Sequence, residues 1–298
     1  MTAESASLAA GAGPVAPDAV DRERGDREVP GVRTVTTAEI ESFWENGWVH
    51  LPRLIEPDLV RGLLDRAQGL MGPQGDQNEA RIGFDFETSP ASQSFRRPSE
   101  VDPLFQRISH SEQIGRNAAL LLGRDAAHSF FDDILLVKIP LSRRQDLGQA
   151  LGWHQDKNPT DRSWIYFWIP LDHIDPEQGA VRYLSGSHKL GPLWRGGACI
   201  SLAEAYRLAP RLRSCPMSEP MSFAPGDVIA HCSWVVHGTD ANVSSASRWV
   251  YRPTYFPADA VYMGVPSETI GDRGIRPFEV LEHEDFPVVY RPAPPDAD

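Results

Sequence analysis

The feature that most constrains the fold is a change of periodicity near Asp132. Before it, apolar residues recur at helical spacing. Thr36-Thr37-Ala38-Glu39 reads as a capping box, followed by Ile40, Phe43 and Trp44, with Gly47 as the stop. Trp48 to Leu54 reads as a short strand. Pro57 then opens a second helix whose apolar face is Val60, Leu63, Leu64, Ala67 and Leu70. Residues 72–100 are polar around Phe84, Phe86 and Phe95 and read as a loop or lid, and Pro103 to Leu122 as one more helix. After Asp132 the apolar runs shorten to strand length: Ile134 to Ile139, Trp164 to Ile169, Ala180 to Leu184, Asp227 to Val236 and Arg248 to Phe256. Gly, Pro, Asn and Ser separate them, and residues 201–209 read as a helix inserted between strands. Helices first and short strands afterwards predict an α+β domain, an antiparallel sandwich or jelly roll flanked by N-terminal helices.

Charge and composition narrow the class. The formal net charge is −12 with no Lys/Arg-rich run, which speaks against a nucleic-acid partner. No apolar run is long enough to span a bilayer, and the first residues lack an apolar signal segment. Residues 1–32, rich in Ala, Gly, Pro, Asp and Arg, are expected to be a disordered tail, and residues 33–298 a single domain. Cys199, Cys215 and Cys232 are odd in number and show no CxxC spacing, as in a protein with reduced thiols in the cytoplasm.

The chemistry-bearing pattern is His154-Gln155-Asp156. On a strand, positions i and i+2 face the same side, so one imidazole and one carboxylate can reach a single metal ion. A later His would complete a two-His, one-carboxylate set that leaves three coordination positions open on Fe(II). H-x-D is a weak signal alone and occurs again at His173/Asp175 and His283/Asp285. The last has no His after it. His173/Asp175 lies beside Pro176 and Gly179 and reads as a turn capped by Asp175. His154 differs in its surroundings: Lys138 lies on the strand before it, and Gly226-Asp227 opens an apolar strand ending in His237-Gly238-Thr239. Arg248 follows at the start of the next strand, where a guanidinium can clamp a carboxylate at two points. His188 reads as a turn residue, and His231 as buried within the sheet.

Several segments together resemble the phytanoyl-CoA dioxygenase family of Fe(II)/2-oxoglutarate-dependent oxygenases. They are Lys138-Ile139-Pro140, Trp153-His154-Gln155-Asp156, Phe167-Trp168 with Pro170-Leu171-Asp172, Gly186-Ser187-His188-Lys189, Gly226-Asp227-Val228, His237-Gly238 and Asn242 through Arg248. Trp44 to Leu54 resembles the family's N-terminal entry. The resemblance implies a double-stranded β-helix, with His154, Asp156 and His237 as iron ligands. It also implies that Arg248 binds the far carboxylate of 2-oxoglutarate, helped by the Thr239 hydroxyl, in a pocket lined by Lys138 and Trp168.

The implied reaction oxidises a C–H bond of a small organic molecule with O2, releasing succinate and CO2. Hydroxylation is its simplest outcome; desaturation, epimerisation and ring formation are open to the same chemistry. Asp156 separates the chain from halogenating relatives, which lack that carboxylate. Three alternatives stand beside this reading: a cupin-like isomerase or hydrolase that uses no 2-oxoglutarate, a catalytically silent binding module that keeps the fold, and a hydroxylase of a CoA- or carrier-linked acyl substrate. Access to the pocket is expected to be set by residues 72–100, with Arg81, Phe84, Phe86, Arg96 and Arg97, and by the insertion between Lys189 and Met221, with Trp194, Arg195 and Tyr206. A bias toward Ala, Arg, Pro and Gly fits a high-GC bacterium and the tailoring of a secondary metabolite.

Overall fold

The computed structural model describes residues 29–77, 92–145, 148–193, 199–265, 270 and 273–292. Helix α1 (Thr37–Asn46) begins at the expected capping box. The Thr36 hydroxyl accepts from the Glu39 N–H, and the Glu39 carboxylate accepts from the Thr36 N–H at 2.7 Å. Gly47 ends the helix in the left-handed region, at φ 79°. Strand β1 (Trp48–Leu51) follows, shorter than the expected run to Leu54, and Pro57 occupies the first turn of α2 (Pro57–Met71).

The expected single helix over Pro103 to Leu122 is two, α3 (Pro103–Ser109) and α4 (Glu112–Leu122). The break falls at Ser111, whose hydroxyl accepts from the Ile114 N–H and starts the second helix afresh. The remaining elements are β2 (Gln93–Arg96), β3 (Ala127–Lys138), β4 (Leu151–His154), β5 (Ile165–Pro170), β6 (Val181–Tyr183), α5 (Leu202–Leu208), β7 (Val228–Cys232), β8 (His237–Thr239), β9 (Arg248–Pro257) and β10 (Val288–Tyr290).

Two sheets form. The larger has seven strands in the order β1-β7-β5-β9-β3-β10, with β2 also on β3; the smaller has three, β4-β8-β6. All pairings are antiparallel. This is the double-stranded β-helix that the strand pattern and the resemblance implied. Side-chain alternation divides β9 into two faces. Trp249, Tyr251 and Tyr255 join the core beneath the helices, with the Tyr251 ring edge-on to Phe105 of α3 at 4.8 Å. Arg248 and Arg252 point the other way, into the pocket between the sheets. Burial of Leu135, Phe167, Tyr251 and Tyr255 in the core shared with the helices holds the large sheet in place, at about 1.5–3 kcal/mol per large side chain.

Three expectations are corrected here. Val29 is buried and Val32 bridges Ile55, so the chain is ordered before residue 33; residues 1–28 lie outside the described residues. The segment 72–100 is not loop throughout, because Gln93–Arg96 pairs with Ile134 to Val137 and buries Phe95. Arg81, Phe84 and Phe86 lie outside the described residues. The expected strand Asp227 to Val236 splits. The Ser233 N–H bonds Trp164 O, the chain turns at Trp234, and β7 and β8 end up in opposite sheets.

Candidate active site

The site begins with the pairing of β4 and β8, which sets His154 directly opposite His237. Gly238 makes that closeness affordable to the backbone: a Cβ there would lie 3.0 Å from Leu151 O. Asp156 is two residues past the end of β4, so the expected strand parity is not what aims it. It is instead held by His231, whose Nε2 lies 3.2 Å from Oδ2; Arg252 Nη1 reaches Oδ1 only at a long 3.4 Å.

Ligand atoms of His154, Asp156 and His237 all lie within 4.8 Å of one another. Both imidazoles turn the same edge to this point. His154 Nδ1 sits 2.8 Å from Gly152 O and His237 Nδ1 3.1 Å from Val235 O. A carbonyl can only accept, so Nδ1 carries the proton in each ring and the Nε2 lone pair is free for a metal. Burial lowers the pKa of both rings to about 4, with like-charge neighbours adding to it, so they are neutral at pH 7. Burial works to raise the Asp156 pKa, yet His237, the His231 hydrogen bond and Arg252 outweigh it and hold the carboxyl well below the usual range. Two neutral imidazoles and one carboxylate form the donor set that suits Fe(II) with open positions.

The other end of the pocket is cationic. Lys138 ends β3 and pairs in register with Arg248, which begins β9. Lys138 Nζ donates to Thr239 Oγ1 and, at 2.7 Å, to Asp240 O. Arg248 Nη1 donates to Gly179 O, and its guanidinium stands 5.5 Å above the Trp168 ring. Its buried Nε has no hydrogen-bond partner among the described residues. Burial lowers the Arg248 pKa to about 10, still charged at pH 7. Burial and the neighbouring Arg248 pull the Lys138 pKa well below its ordinary value. An orphaned guanidinium N–H beside a confined ammonium is a pocket that calls for an anionic oxygen pair. Asn242 braces this end, donating to Lys138 O and Ala246 O, both at 2.8 Å.

All seven residues singled out from the sequence (Lys138, His154, Asp156, Trp168, His237, Thr239 and Arg248) line one pocket. His237 and Arg248 arrive from opposite sheets, not from adjacent strands of one sheet as expected. Asp175 caps the turn at Pro176 as expected, and His188 is a turn residue with Nε2 3.1 Å from Trp44 O. Two residues carry parts in the site that the sequence did not assign them. His231 is buried as expected but also bonds Asp156 and, through Nδ1, the Tyr183 hydroxyl at 3.1 Å. Arg252 lines the same pocket, and its even spacing from Arg248 on one strand is the signal that puts it on the same face.

The sequence model of the family described as phytanoyl-CoA dioxygenase (PhyH) matches residues 43–250, well over half of the chain. No curated protein matches the sequence. Among solved structures, the non-haem α-ketoglutarate-dependent carbocyclase SnoK from nogalamycin biosynthesis is similar at TM-score 0.68 and 22% identity, over 87% of this chain and 99% of that one. The epimerase SnoN, in complex with Fe3+, α-ketoglutarate and nogalamycin RO, is similar at TM-score 0.69 and 20% identity, over 85% and 97%. EctD from S. alaskensis with 2-oxoglutarate and 5-hydroxyectoine gives 0.62 and 18%, over 89% and 90%. At such identities these structures speak for the fold, and the family rests on the sequence match over residues 43–250: the chain belongs to the phytanoyl-CoA dioxygenase family of non-haem iron, 2-oxoglutarate-dependent oxygenases.

Proposed function

We propose that His154, Asp156 and His237 hold Fe(II), that Arg248, Thr239 and Lys138 receive the far carboxylate of 2-oxoglutarate, and that the pocket hydroxylates a C–H bond of a small organic molecule. One observation carries this reading. Three ligand atoms converge within 4.8 Å on one side of a pocket whose other end presents Arg248, Lys138 and Thr239. A metal isomerase or hydrolase has no need of that second, cationic end.

The bound iron and 2-oxoglutarate would supply oxidative decarboxylation to succinate and CO2, coupled to activation of O2. The chain's own part is placement. Gly152 O and Val235 O fix the imidazole tautomers, while His231 fixes the Asp156 carboxylate. Trp168 stacks under Arg248 and limits where its fork points. Ile134, Leu136, Leu151 and Val181 supply apolar wall and keep bulk water from the reacting carbon. A secondary metabolite is the substrate class we favour. The support is the likeness to SnoK and SnoN, both described as enzymes of nogalamycin biosynthesis.

Anaerobic titration of the apoprotein with Fe(II) and then 2-oxoglutarate tests the assignment. The visible charge-transfer band of a chelated 2-oxo acid should appear in wild type and be absent in His154→Ala. Arg248→Ala should need about a hundredfold more co-substrate, the loss of a buried charge-assisted contact worth about 3 kcal/mol. Iron binding with no band in wild type would overturn the 2-oxoglutarate assignment and favour the cupin-like alternative.

A further inference from the structure

Arg252 lies on the pocket face of β9, four residues along from Arg248, roughly 13 Å at strand rise. The two guanidinium-bearing positions therefore lie well apart along one strand. Arg248 faces the co-substrate end, and Arg252 stands against Asp156. Its neighbours differ from those of Arg248. It pairs in register with Ile134, which lines the pocket together with Leu136, so its cation borders an apolar wall. Its guanidinium rests 4.7 Å above the Tyr166 ring, which fixes the plane of the fork.

The hydrogen bonding of Arg252 is incomplete. Nη1 reaches Asp156 at a long 3.4 Å, and the buried Nε has no hydrogen-bond partner among the described residues. Asp156 does not need Arg252 for its orientation, because His231 already contacts it at 3.2 Å. Charge makes the same point. Once Asp156 serves a divalent metal, its negative charge is already matched. The co-substrate's far carboxylate would be matched by Arg248 together with Lys138, whose Nζ also donates to Thr239 Oγ1 and Asp240 O. Arg252 is then the cation left over, with 19% of its side chain exposed in the pocket. A half-satisfied guanidinium beside a metal cation is costly unless an anion joins it.

We propose that Arg252 is a specificity residue that anchors a carboxylate of the organic substrate, whose apolar body lies along Ile134 and Leu136. The proposal rests on the iron and 2-oxoglutarate reading of the same pocket, and names its substrate class: organic acids with an uncharged, largely hydrocarbon body.

The test is calorimetric binding to the anaerobic protein loaded with Fe(II) and 2-oxoglutarate. The probes are cyclohexanecarboxylate and 2-naphthoate, each against its primary amide. In wild type at least one acid should bind about tenfold or more tighter than its amide, as a charge-assisted, two-point contact allows. Arg252→Gln should erase the difference and leave 2-oxoglutarate affinity within about threefold, and Arg252→Lys should restore part of it. Equal binding of acid and amide in wild type, or a preference that survives in Arg252→Gln, overturns the proposal. So does a loss of iron in Arg252→Lys, which would make Arg252 a support for Asp156 alone. Failure of the underlying reading looks different. An Arg252-dependent acid preference without a charge-transfer band would keep the anion site and discard the co-substrate assignment.

Discussion

The two sheets that face each other across the pocket are built in different ways. The larger one is buried on both faces. Every residue of β5 is buried, and its apolar side chains join the core that also takes in the helices. The smaller sheet is made of strands of three and four residues, yet it carries both candidate metal-binding imidazoles. The cations divide the other way: Lys138, Arg248 and Arg252 all come from the larger sheet. Charge and metal are thus offered from opposite walls. Relative placement of the two sheets sets the distance over which a co-substrate must reach, and rigidity in the large sheet is what keeps that distance fixed.

The division can be broken by comparing substitutions on the two walls. His237→Ala should abolish tight Fe(II) binding and lower turnover by roughly a thousandfold or more, about 4 kcal/mol in the barrier. Unfolding of the metal-free protein should change little, since the side chain belongs to a short strand outside the main apolar core. Urea denaturation beside an iron-binding assay reads both quantities. A metal-free His237→Ala that is grossly unstable would mean that the small sheet is scaffold as well.

Phe167→Ala on the large sheet should do the reverse. The ring is fully buried and packs edge-on to Tyr255 at 5.6 Å, so its loss leaves a cavity costing about 3–5 kcal/mol of stability. Iron affinity of the remaining folded protein should stay within a few-fold of wild type. A shift in the urea midpoint with unchanged slope is the expected record. A loss of iron binding larger than the loss of stability would mean that the outer face of the sheet communicates with the ligands.

The same contrast explains what could be read from the sequence. His154, Asp156, His237 and Arg248 were legible because their types and order repeat a family pattern, and Phe167 because β5 is a continuous apolar run. The first half of β3 was not legible, since it buries His128, Ser129 and Asp133. His128 and Asp133 are tolerable through partners far along the chain: Phe286 O for His128, and Ser99 and Tyr251 hydroxyls, each at 2.6 Å, for Asp133. Strand β2, Gln93–Arg96, has no alternation to announce it and exists because β3 offers it an edge. The apolar run from Asp227 to His237 puts His231 and His237 on one strand. A turn at Ser233 and Trp234 breaks that run, and His231 reaches the site from the opposite sheet.

His231 also supplies the finest test, because one hydrogen-bonded chain ties the two walls together. Tyr183 on β6 meets His231 on β7, and His231 meets Asp156. Burial, reinforced by the Asp156 charge, pushes the Tyr183 pKa well above its ordinary value, so the phenol keeps its proton and donates it to His231 Nδ1. That leaves Nε2 as the protonated nitrogen, aimed at the carboxylate of Asp156. In Tyr183→Phe, the Nδ1 lone pair loses its donor in a buried site, at a cost of about 1–3 kcal/mol. The ring is then free to adopt the other tautomer, which turns a lone pair toward Asp156 and weakens its hold on a metal. Direct partners of a ligand change metal affinity by about 10–100-fold, so a residue one step further out should change it by less, about fivefold. Competition with a chelator measures that change, and urea denaturation of the metal-free protein measures the other. Lowered stability with unchanged iron affinity would make the Tyr183–His231 bridge a strut between the sheets. A drop in both would make the orientation of Asp156 a joint product of the two walls.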